Sequence, residues 1–424
     1  MILNGRSVYY EFYRKYKYAS QNPRGKRPLS AGKKIPLFEI VISLISTFSV
    51  CGKKKSIADI HRNFVVLTGK NVSRSSFWDR LANKKLLDFI EKAVLDFSCH
   101  MHAKALSKLS WLSIFNDILL FDASPVRLPK GLSEKYPGNR KNHSPACFKL
   151  SALFSLRTKS AEWIHLSPQK HHDSKFLPNL KKMAGSLFLF DLGYFSHSFL
   201  NELNQTRVWF VCRLKANSLP IITKIVNGIA KRHIGKPLTQ NINFRGSIVE
   251  AWGKFNLPDK KSVELRLIGF RFPKTKKYRW YVTNLPKTMM LAEWIYPIYR
   301  LRWQIELFFK SIKSMLNADQ ITSENENIAL TICYSSILSS LIADSVIIEQ
   351  VIILAKIEIK SITVQRIMHV YSLIAHNLAQ CFLRKNITSR CVQKDIGALQ
   401  LLLICPNRNH RPTSLEYVVM LNNE

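Results

Sequence analysis

Two short apolar segments that each end in an aspartate constrain the fold of this chain most strongly. Residues 118–121 read ILLF before Asp122, and residues 187–190 read LFLF before Asp191. Such runs predict buried strands, and a strand that stops at a carboxylate places the charge at the rim of a sheet, where it can hold a cation. For either aspartate alone, a turn-forming residue after a strand is the simpler interpretation. The repetition weakens that interpretation without replacing it.

The segments around these two strands predict a mixed α/β fold. Residues 147–158 and 161–168 form a predicted hairpin, and a helix is predicted over 196–205. Further strands are predicted over 207–214, 247–252, 263–272 and 279–286. From about Leu291 the pattern becomes mostly helical. We therefore expect a central sheet with helical regions at both ends of the chain.

The charge balance points to a polyanionic partner. The chain has 64 Lys and Arg against 28 Asp and Glu, a formal net charge of +36. An apolar content of 46% excludes a disordered basic tail. Nucleic acid is the commonest partner for a folded chain of this charge, and a membrane surface is the competing interpretation.

The cysteine usage and the apolar runs indicate a cytoplasmic protein. The eight cysteines are scattered without a CxxC pair, which is typical of a reduced compartment, and residues 1–18 contain no apolar secretory segment. Residues 327–343 form an uncharged run at the lower limit of membrane-spanning length. Their serines favour a buried core helix over a membrane span.

The first 110 residues predict a basic arm followed by a helical DNA-binding region. Residues 1–34 are basic and contain several Pro and Gly, and residues 35–110 read as helices. Ser56 with Asp59 resembles a capping box, and Ser73 caps a second short helix across a turn. This arrangement fits a helix-turn-helix, in which Arg74 and Arg80 face DNA. A generic helical hairpin stays open as the alternative.

A stripe of one aromatic, one acidic and three basic residues is predicted on a helix over 297–316. At 100° per residue it spans about 80°, and the apolar residues of the helix lie off it. A solvated helix face carries similar residues, but a single acid among bases suits a cleaved phosphate end. The stripe consists of Tyr299, Arg302, Glu306, Lys310 and Lys313.

Three carboxylates, Asp122, Asp191 and Glu306, can together bind two divalent cations. One cation activates a water or hydroxyl and the other stabilises the leaving oxygen. Because the ligands are all oxygen, the ions are expected to be Mg²⁺ or Mn²⁺.

At these residues the sequence resembles the bacterial insertion-sequence DDE transposases. Tyr299, two residues, Arg302, three residues, Glu306, six residues and Lys313 reproduce the Tyr-Arg-Glu-Lys (YREK) signature of that family. The stretch 191–194, Asp-Leu-Gly-Tyr, resembles the family's second aspartate motif, and Asp122-Ala-Ser is similar to its first.

The resemblance implies a ribonuclease-H-like catalytic core over 111–325, interrupted by a β-rich insertion at about 220–288. It implies that Asp122, Asp191 and Glu306 bind the two metal ions. It also implies that the other stripe residues grip the DNA backbone near the cleaved end, with Lys310 as an additional contact. The helical region over 326–424 is expected to help pair two protomers into a homodimer in the DNA complex.

Family members can stack a flipped base on a tryptophan of the insertion. Trp280 is the candidate by this resemblance, and Trp303 is the second possibility. Stacking of this kind tolerates any base. A role for Trp280 as a plain core residue is an equal alternative.

The sequence thus predicts a metal-dependent DNA transposase that cleaves the ends of an insertion sequence and transfers the 3′-hydroxyl to target DNA. Its expected partners are double-stranded terminal inverted repeats and target DNA, with no membrane. Three alternatives stay open: a catalytically inactive protein that binds DNA ends, a stand-alone metal nuclease and a membrane protein.

Overall fold

The computed structural model describes residues 35–49, 56–100, 114–140, 144–157, 160–171, 177–239, 242–272, 275–316, 321–350 and 364–384. The basic arm predicted for residues 1–34 lies outside these ranges, as does the chain after residue 384. The helices are α1 (Leu37–Phe48), α2 (Ile57–Thr68), α3 (Arg74–Leu81), α4 (Lys84–His100), α5 (His197–Gln205), α6 (Ala292–Arg300), α7 (Trp303–Leu316), α8 (Glu326–Gln350) and α9 (Val364–Arg384).

The strands of the described residues form one ten-stranded sheet. They are β1 (Ile118–Leu128), β2 (Pro137–Arg140), β3 (Ser144–Ser155), β4 (Ser160–Pro168), β5 (Leu187–Phe190), β6 (Trp209–Arg213), β7 (Ile221–Asn227), β8 (Ile248–Asn256), β9 (Ser262–Arg271) and β10 (Tyr278–Thr283). Their order is β2-β3-β1-β5-β6-β10-β9-β8-β7, and β4 pairs with β3 as the predicted hairpin. The predicted mixed α/β fold with flanking helices is confirmed at this level.

The centre of the sheet is parallel and both wings are antiparallel. Strand β5 lies between β1 and β6 and is parallel to both. On one side β3 and β4 continue antiparallel from β1. On the other side β10 pairs with β6 and with β9, so the strands predicted for the insertion extend the central sheet without a gap.

Successive residues of the central strands point to opposite faces of the sheet and fill two cores. Leu120, Leu187 and Leu189 pack toward α7 and the N-terminal and C-terminal helices. Phe121 and Phe190 belong to the second core, which α5 covers. Strands buried on both faces read as continuous apolar runs, and this explains the two ILLF-like segments.

Strand β1 does not end at Asp122, and the sequence prediction is wrong on this point. The parallel pairing of β1 with β5 stops at Phe121 opposite Phe190, but the antiparallel ladder with β3 continues through Asp122 to Leu128. Asp122 therefore lies at the rim of the parallel pair and inside the antiparallel one. Pairing with β3 depends on residues distant in sequence, so the local pattern could not reveal it.

The predicted single helix over 297–316 is also wrong, because the chain forms two helices, α6 and α7. Between them the backbone N–H groups of Leu301 and Arg302 donate to Ile298 O and Tyr299 O, three residues back, at 2.9 and 3.1 Å. Such bonds form a tighter turn than the α-helix. Arg302 consequently lies at a junction between helices.

The N-terminal helices form as their caps predict. Ser56 and Asp59 make a full capping box at the start of α2, and Gly69 ends that helix in the left-handed conformation, with φ of 67°. Ser73 caps α3 through its hydroxyl. Helices α1 and α4 pack against α8, so the two ends of the described chain share one apolar core.

One helix of the described residues, over Glu326–Ala343, is long and apolar enough to cross a membrane by length and composition alone. Within the fold, 83% of this window is buried. Its serine hydroxyls bond inside the protein, as Ser335 and Ser336 do to carbonyls one turn back. This is the burial expected of a core helix.

A buried ion pair ties the insertion strands to the segment before α6. Arg266 on β9 is fully buried and donates through Nε to Glu250 Oε1 at 2.8 Å. Its Nη1 donates to Met290 O at 2.6 Å. Because α6 leads directly to Arg302 and Glu306, these two contacts of Arg266 help to fix the position of the helices that follow.

We expect Arg266→Met to lower the free energy of unfolding by about 3 to 5 kcal/mol, because it leaves the Glu250 carboxylate buried without its partner. The double variant with Glu250→Leu should lose less than Arg266→Met alone. Urea unfolding measures both. The exposed Arg271 on the same strand gives the control, since Arg271→Met should change stability by less than about 0.5 kcal/mol. Equal stability of Arg266→Met and Arg271→Met would contradict a stabilising role for the buried ion pair.

Candidate active site

Asp122 lies in a half-buried position at the rim of the parallel strands. Its Oδ1 accepts a hydrogen bond from Ala123 N at 2.8 Å, and its Oδ2 accepts one from Arg302 Nη1 at 2.8 Å. The side chain is 20% exposed. The carboxylate is therefore oriented from both sides and still reachable from solvent.

Asp191 follows β5 directly and is the N-cap of a short 3₁₀ turn over Leu192–Tyr194. The hydroxyl of Tyr299, from α6, lies 3.4 Å from Asp191 Oδ1, at the long end of the hydrogen-bond range. Burial raises the pKa of Tyr299 above its ordinary value, so the hydroxyl keeps its proton and acts as the donor.

Arg302 connects the first and third carboxylates. Its Nη2 donates to Glu306 Oε1 at 2.6 Å, while Nη1 binds Asp122 as described. Its side chain is only 15% exposed, and its guanidinium lies 5.9 Å from the centre of the Tyr299 ring. One cation thus bridges a strand residue and a helix residue that are 184 positions apart.

Tyr194 contacts the strand that carries the first aspartate. Its ring lies 4.3 Å, centre to centre, from that of Phe121, the residue before Asp122. Tyr194 itself belongs to the 191–194 motif, so a single side chain links both aspartate segments. The sequence motif contained this tyrosine, but its contact with Phe121 was not predicted because it depends on the pairing of β1 with β5.

The environment of Asp122 makes its charge unfavourable. Burial raises the pKa of Asp122 to about 6, and the charges of Asp191 and Glu306 contribute to the rise. The Ala123 N–H and the Arg302 guanidinium oppose it. Burial and like charge therefore outweigh the ion pair with Arg302.

The donor set has the chemistry of a site for hard divalent cations: three carboxylates and no nitrogen or sulfur ligand. As arranged, however, no group of three or more His, Cys, Asp or Glu side chains among the described residues is set to hold a metal ion. In this arrangement Arg302 donates to one oxygen of Asp122 and to one oxygen of Glu306. The residues fit a divalent ion in kind, and the bridging position is held by Arg302.

The basic residues of α7 extend the site along the helix. Lys310 and Lys313 lie four and seven residues after Glu306, on the same side of the helix. Lys310 is exposed and Lys313 is half-buried. Trp303, the first residue of α7, is 55% exposed beside Arg302.

Trp280 lies away from this group. It packs over Gly269, where an added Cβ would lie 3.0 Å from the indole, and its ring centre is 5.1 Å from that of Phe244. The next residue, Tyr281, contacts the Tyr299 ring, and adjacent strand residues point to opposite faces. The structure therefore places Trp280 on the face of the sheet opposite Tyr299.

The predicted DNA-contacting arginines lie on α3, in the N-terminal helices. Arg74 is exposed and Arg80 is half-buried, and Trp78 between them is 41% exposed. Neither arginine has a described contact with the three carboxylates. They lie on a helix other than the elements that carry the three carboxylates.

Comparison with known proteins gives a consistent set of similarities. A family model described as the transposase DDE domain matches residues 114–342, a span that contains all three carboxylates. The transposase for insertion sequence element IS1151 of Clostridium perfringens is 22% identical over 331 residues, which cover 67% of this chain and 68% of that protein. The transposase for IS231E of Bacillus thuringiensis subsp. finitimus is 28% identical over 247 residues, 49% of this chain and 51% of that protein.

The chain thus spans about half the length of the IS231E relative. Among solved structures, the cryo-EM structure of the piggyBac transposase synaptic complex with hairpin DNA aligns over 95% of this chain and 85% of that chain. The TM-score is 0.44 and the sequence identity 12%.

We expect Asp122→Asn to stabilise the metal-free protein at pH 8 and to have little effect at pH 4. The pKa of Asp122 is raised from 3.8 to about 6 in the folded protein. Between these two pH values the folded state therefore keeps a proton on Asp122 that the unfolded state has released. The free energy of unfolding of the wild type therefore falls as the pH rises through this window. Above the window the loss amounts to up to about 3 kcal/mol. Unfolding titrations in EDTA at both pH values measure the difference.

The control for this prediction is Asp88→Asn. Asp88 lies on α4 with 57% of its side chain exposed, paired with Lys84, and its loss should change stability by less than about 0.5 kcal/mol at either pH. A stabilisation by Asp122→Asn that is equal at pH 4 and pH 8 would contradict the assigned cost of the charge.

Proposed function

Because this chain belongs to the family of transposases with a DDE domain, we propose that it is a DNA transposase. It cleaves the ends of an insertion sequence and transfers the freed 3′-hydroxyl to target DNA. Asp122, Asp191 and Glu306 are its catalytic residues. The observation that carries this proposal is the convergence of these carboxylates, from β1, the end of β5 and α7, around Arg302 and Tyr299.

The three carboxylates are the residues that would hold the metal, as two Mg²⁺ or Mn²⁺ ions. When bound, such ions activate the attacking water or 3′-hydroxyl and stabilise the leaving oxygen. The protein's own part is to present the carboxylate oxygens from rigid elements and to position the phosphate. Tyr299 keeps its proton and can donate to a phosphate oxygen, while Lys310 and Lys313 contact the neighbouring phosphates.

We propose that strands β4, β3, β1, β5 and β6 form a ribonuclease-H-like core. The order of these strands, antiparallel up to β1 and parallel from β1 to β6, is typical of that fold and supports the proposal. Strands β7 to β9 and β10, within 220–288, form the β-rich insertion of the 111–325 core. The helical regions over 35–110 and 326–424 flank it.

For base stacking, Trp303 is better placed than Trp280. Trp303 is 55% exposed and directly follows Arg302, whereas Trp280 packs on Gly269 and Phe244. Stacking of an unpaired base on an exposed indole next to the carboxylates would hold the DNA end in place. We therefore assign this role to Trp303.

The N-terminal helices are the proposed site for terminal inverted repeats. Helix α3 exposes Arg74 and Trp78 and partly exposes Arg80, and the net charge of +36 favours DNA throughout. We propose that α2 and α3 act as a helix-turn-helix and that two protomers pair on DNA. The protein is expected to act in the cytoplasm, without a membrane.

We expect Asp122→Asn, Asp191→Asn and Glu306→Gln to abolish cleavage of an oligonucleotide carrying the element's ends in Mg²⁺, while binding of that DNA persists. Each change removes one carboxylate from the metal ligands and keeps the side-chain shape. Glu202→Gln, on the exposed side of α5, is the matched control and should cleave at the wild-type rate. Gel-shift and cleavage assays measure both properties.

The outcomes separate the alternatives. Cleavage at the wild-type rate by one of the three variants would remove that residue from the site. A wild-type protein that binds ends without cutting them in Mg²⁺ or Mn²⁺ would be an inactive end-binding protein. Cleavage without any joined product would indicate a stand-alone nuclease.

Lys310→Ala should reduce the salt dependence of binding to end DNA by about one phosphate contact, a change of about 0.9 in the slope of log K against log salt. Lys310 is exposed on α7, one turn beyond Glu306. Lys181→Ala provides the control, because the exposed Lys181 precedes β5 and lies toward the opposite end of that strand from Asp191. Fluorescence anisotropy over a salt series gives the slopes, and equal slopes for the two variants would exclude Lys310 from the contact.

A further inference from the structure

We propose that Arg302 occupies the cation position of the carboxylate site in the DNA-free protein and leaves it for a DNA phosphate when metal ions and the DNA end bind. This inference rests on the function proposed above and assigns Arg302 a positioning role between two states. In the first state its guanidinium holds Asp122 and Glu306 together. In the second the same group faces the DNA.

The contacts of Arg302 show that the position is filled. Nη1 binds Asp122 Oδ2 at 2.8 Å and Nη2 binds Glu306 Oε1 at 2.6 Å, so both terminal nitrogens of the fork are used within the site. The two carboxylates come from different elements, β1 and α7. A guanidinium with 15% exposure that joins them acts as their counter-ion.

A divalent cation would be held by the same carboxylates that Arg302 now binds. Such an ion would lie close to a guanidinium that cannot lose its proton. Two cations in contact repel each other in a partly buried site, where screening is weak. The metal ion and the observed position of Arg302 therefore exclude each other.

The place of Arg302 in the fold allows it to move. It lies in the turn between α6 and α7, next to the exposed Trp303, whereas Glu306 is inside α7 and Asp122 is inside the β1–β3 ladder. A phosphate group has two oxygens that can accept hydrogen bonds from the guanidinium. They would replace the two carboxylate oxygens to which Arg302 now donates. Arg302 can exchange partners while the carboxylates stay in place.

This exchange makes metal binding and DNA binding cooperative. DNA that attracts Arg302 frees the carboxylate oxygens for metal, and metal that displaces Arg302 frees it for DNA. By thermodynamic linkage the two effects are equal in size. The DNA-free protein is expected to bind metal weakly, and this limits cleavage of DNA away from the element's ends.

Binding of Mn²⁺ alone to the full chain without DNA tests the proposal, with isothermal titration or electron paramagnetic resonance of free Mn²⁺ as the readout. Arg302→Gln should bind Mn²⁺ at least about tenfold more tightly than the wild type, within the usual range of such couplings. Lys181→Gln removes one positive charge from an exposed side chain before β5, toward the opposite end of that strand from Asp191, and its Mn²⁺ affinity should stay within about twofold of the wild type.

Thermal unfolding provides a second readout that also reports folding. In EDTA, Arg302→Gln should have a lower midpoint than the wild type, because the carboxylates lose their counter-ion. Added Mn²⁺ should raise its midpoint more than that of the wild type. Addition of a short duplex carrying the element's end should tighten Mn²⁺ binding by the wild type. The difference in Mn²⁺ affinity between the wild type and Arg302→Gln should then become smaller.

The results distinguish a failure of this proposal from a failure of the proposed function. If Arg302→Gln binds Mn²⁺ no more tightly than Lys181→Gln, while Asp122→Asn loses binding, the site stands and Arg302 does not compete for it. If Asp122→Asn binds Mn²⁺ as the wild type does, the proposed catalytic site itself is wrong. If Arg302→Gln shows no cooperative unfolding, Arg302→Lys is the replacement test. It keeps the positive charge but lacks the two parallel N–H donors of the guanidinium, so its affinity for Mn²⁺ should be higher than that of the wild type. A wild-type affinity for Arg302→Lys would overturn the proposal.

Discussion

The bridge from Arg302 to Asp122 and Glu306 is the interaction on which the architecture of the site depends. Burial is the main reason that the pKa of Asp122 is raised, and the charges of Asp191 and Glu306 add to the rise. Arg302 places a positive charge between Asp122 on β1 and Glu306 in the first turn of α7. Its two ion pairs join the sheet to the helix layer.

Other contacts determine where the bridge can form. The pairing of Phe121 with Phe190 places the two aspartate segments side by side, and the Tyr194 ring packs against Phe121. On the opposite wing, Arg266 fixes the segment before α6 through Glu250 and Met290. The insertion strands thereby contribute to the position of α6, whose Tyr299 approaches Asp191.

The sequence predicted what depends on local patterns and missed what depends on pairing. Apolar runs, caps and the helical stripe revealed β1, β5, the helices of the N-terminal region and the residue types of the site. The continuation of β1 past Asp122 depends on β3, and the break at Arg302 coincides with an ion pair to a distant strand. The orientation of Trp280 depends on Gly269 across the sheet. Periodicity carries no information about such partners, so these features required the fold.

The shared core of the N-terminal and C-terminal helices connects the proposed DNA-reading surface to the proposed catalytic residues. Helix α3 packs on α2 and α8, and α8 packs on α7, which carries Glu306. Interiors packed in this way transmit displacement because they contain little free space. An end sequence bound at α3, as proposed, would therefore lie at a defined distance from the carboxylates, and the proposed exchange of partners would involve only the Arg302 side chain at the junction between α6 and α7.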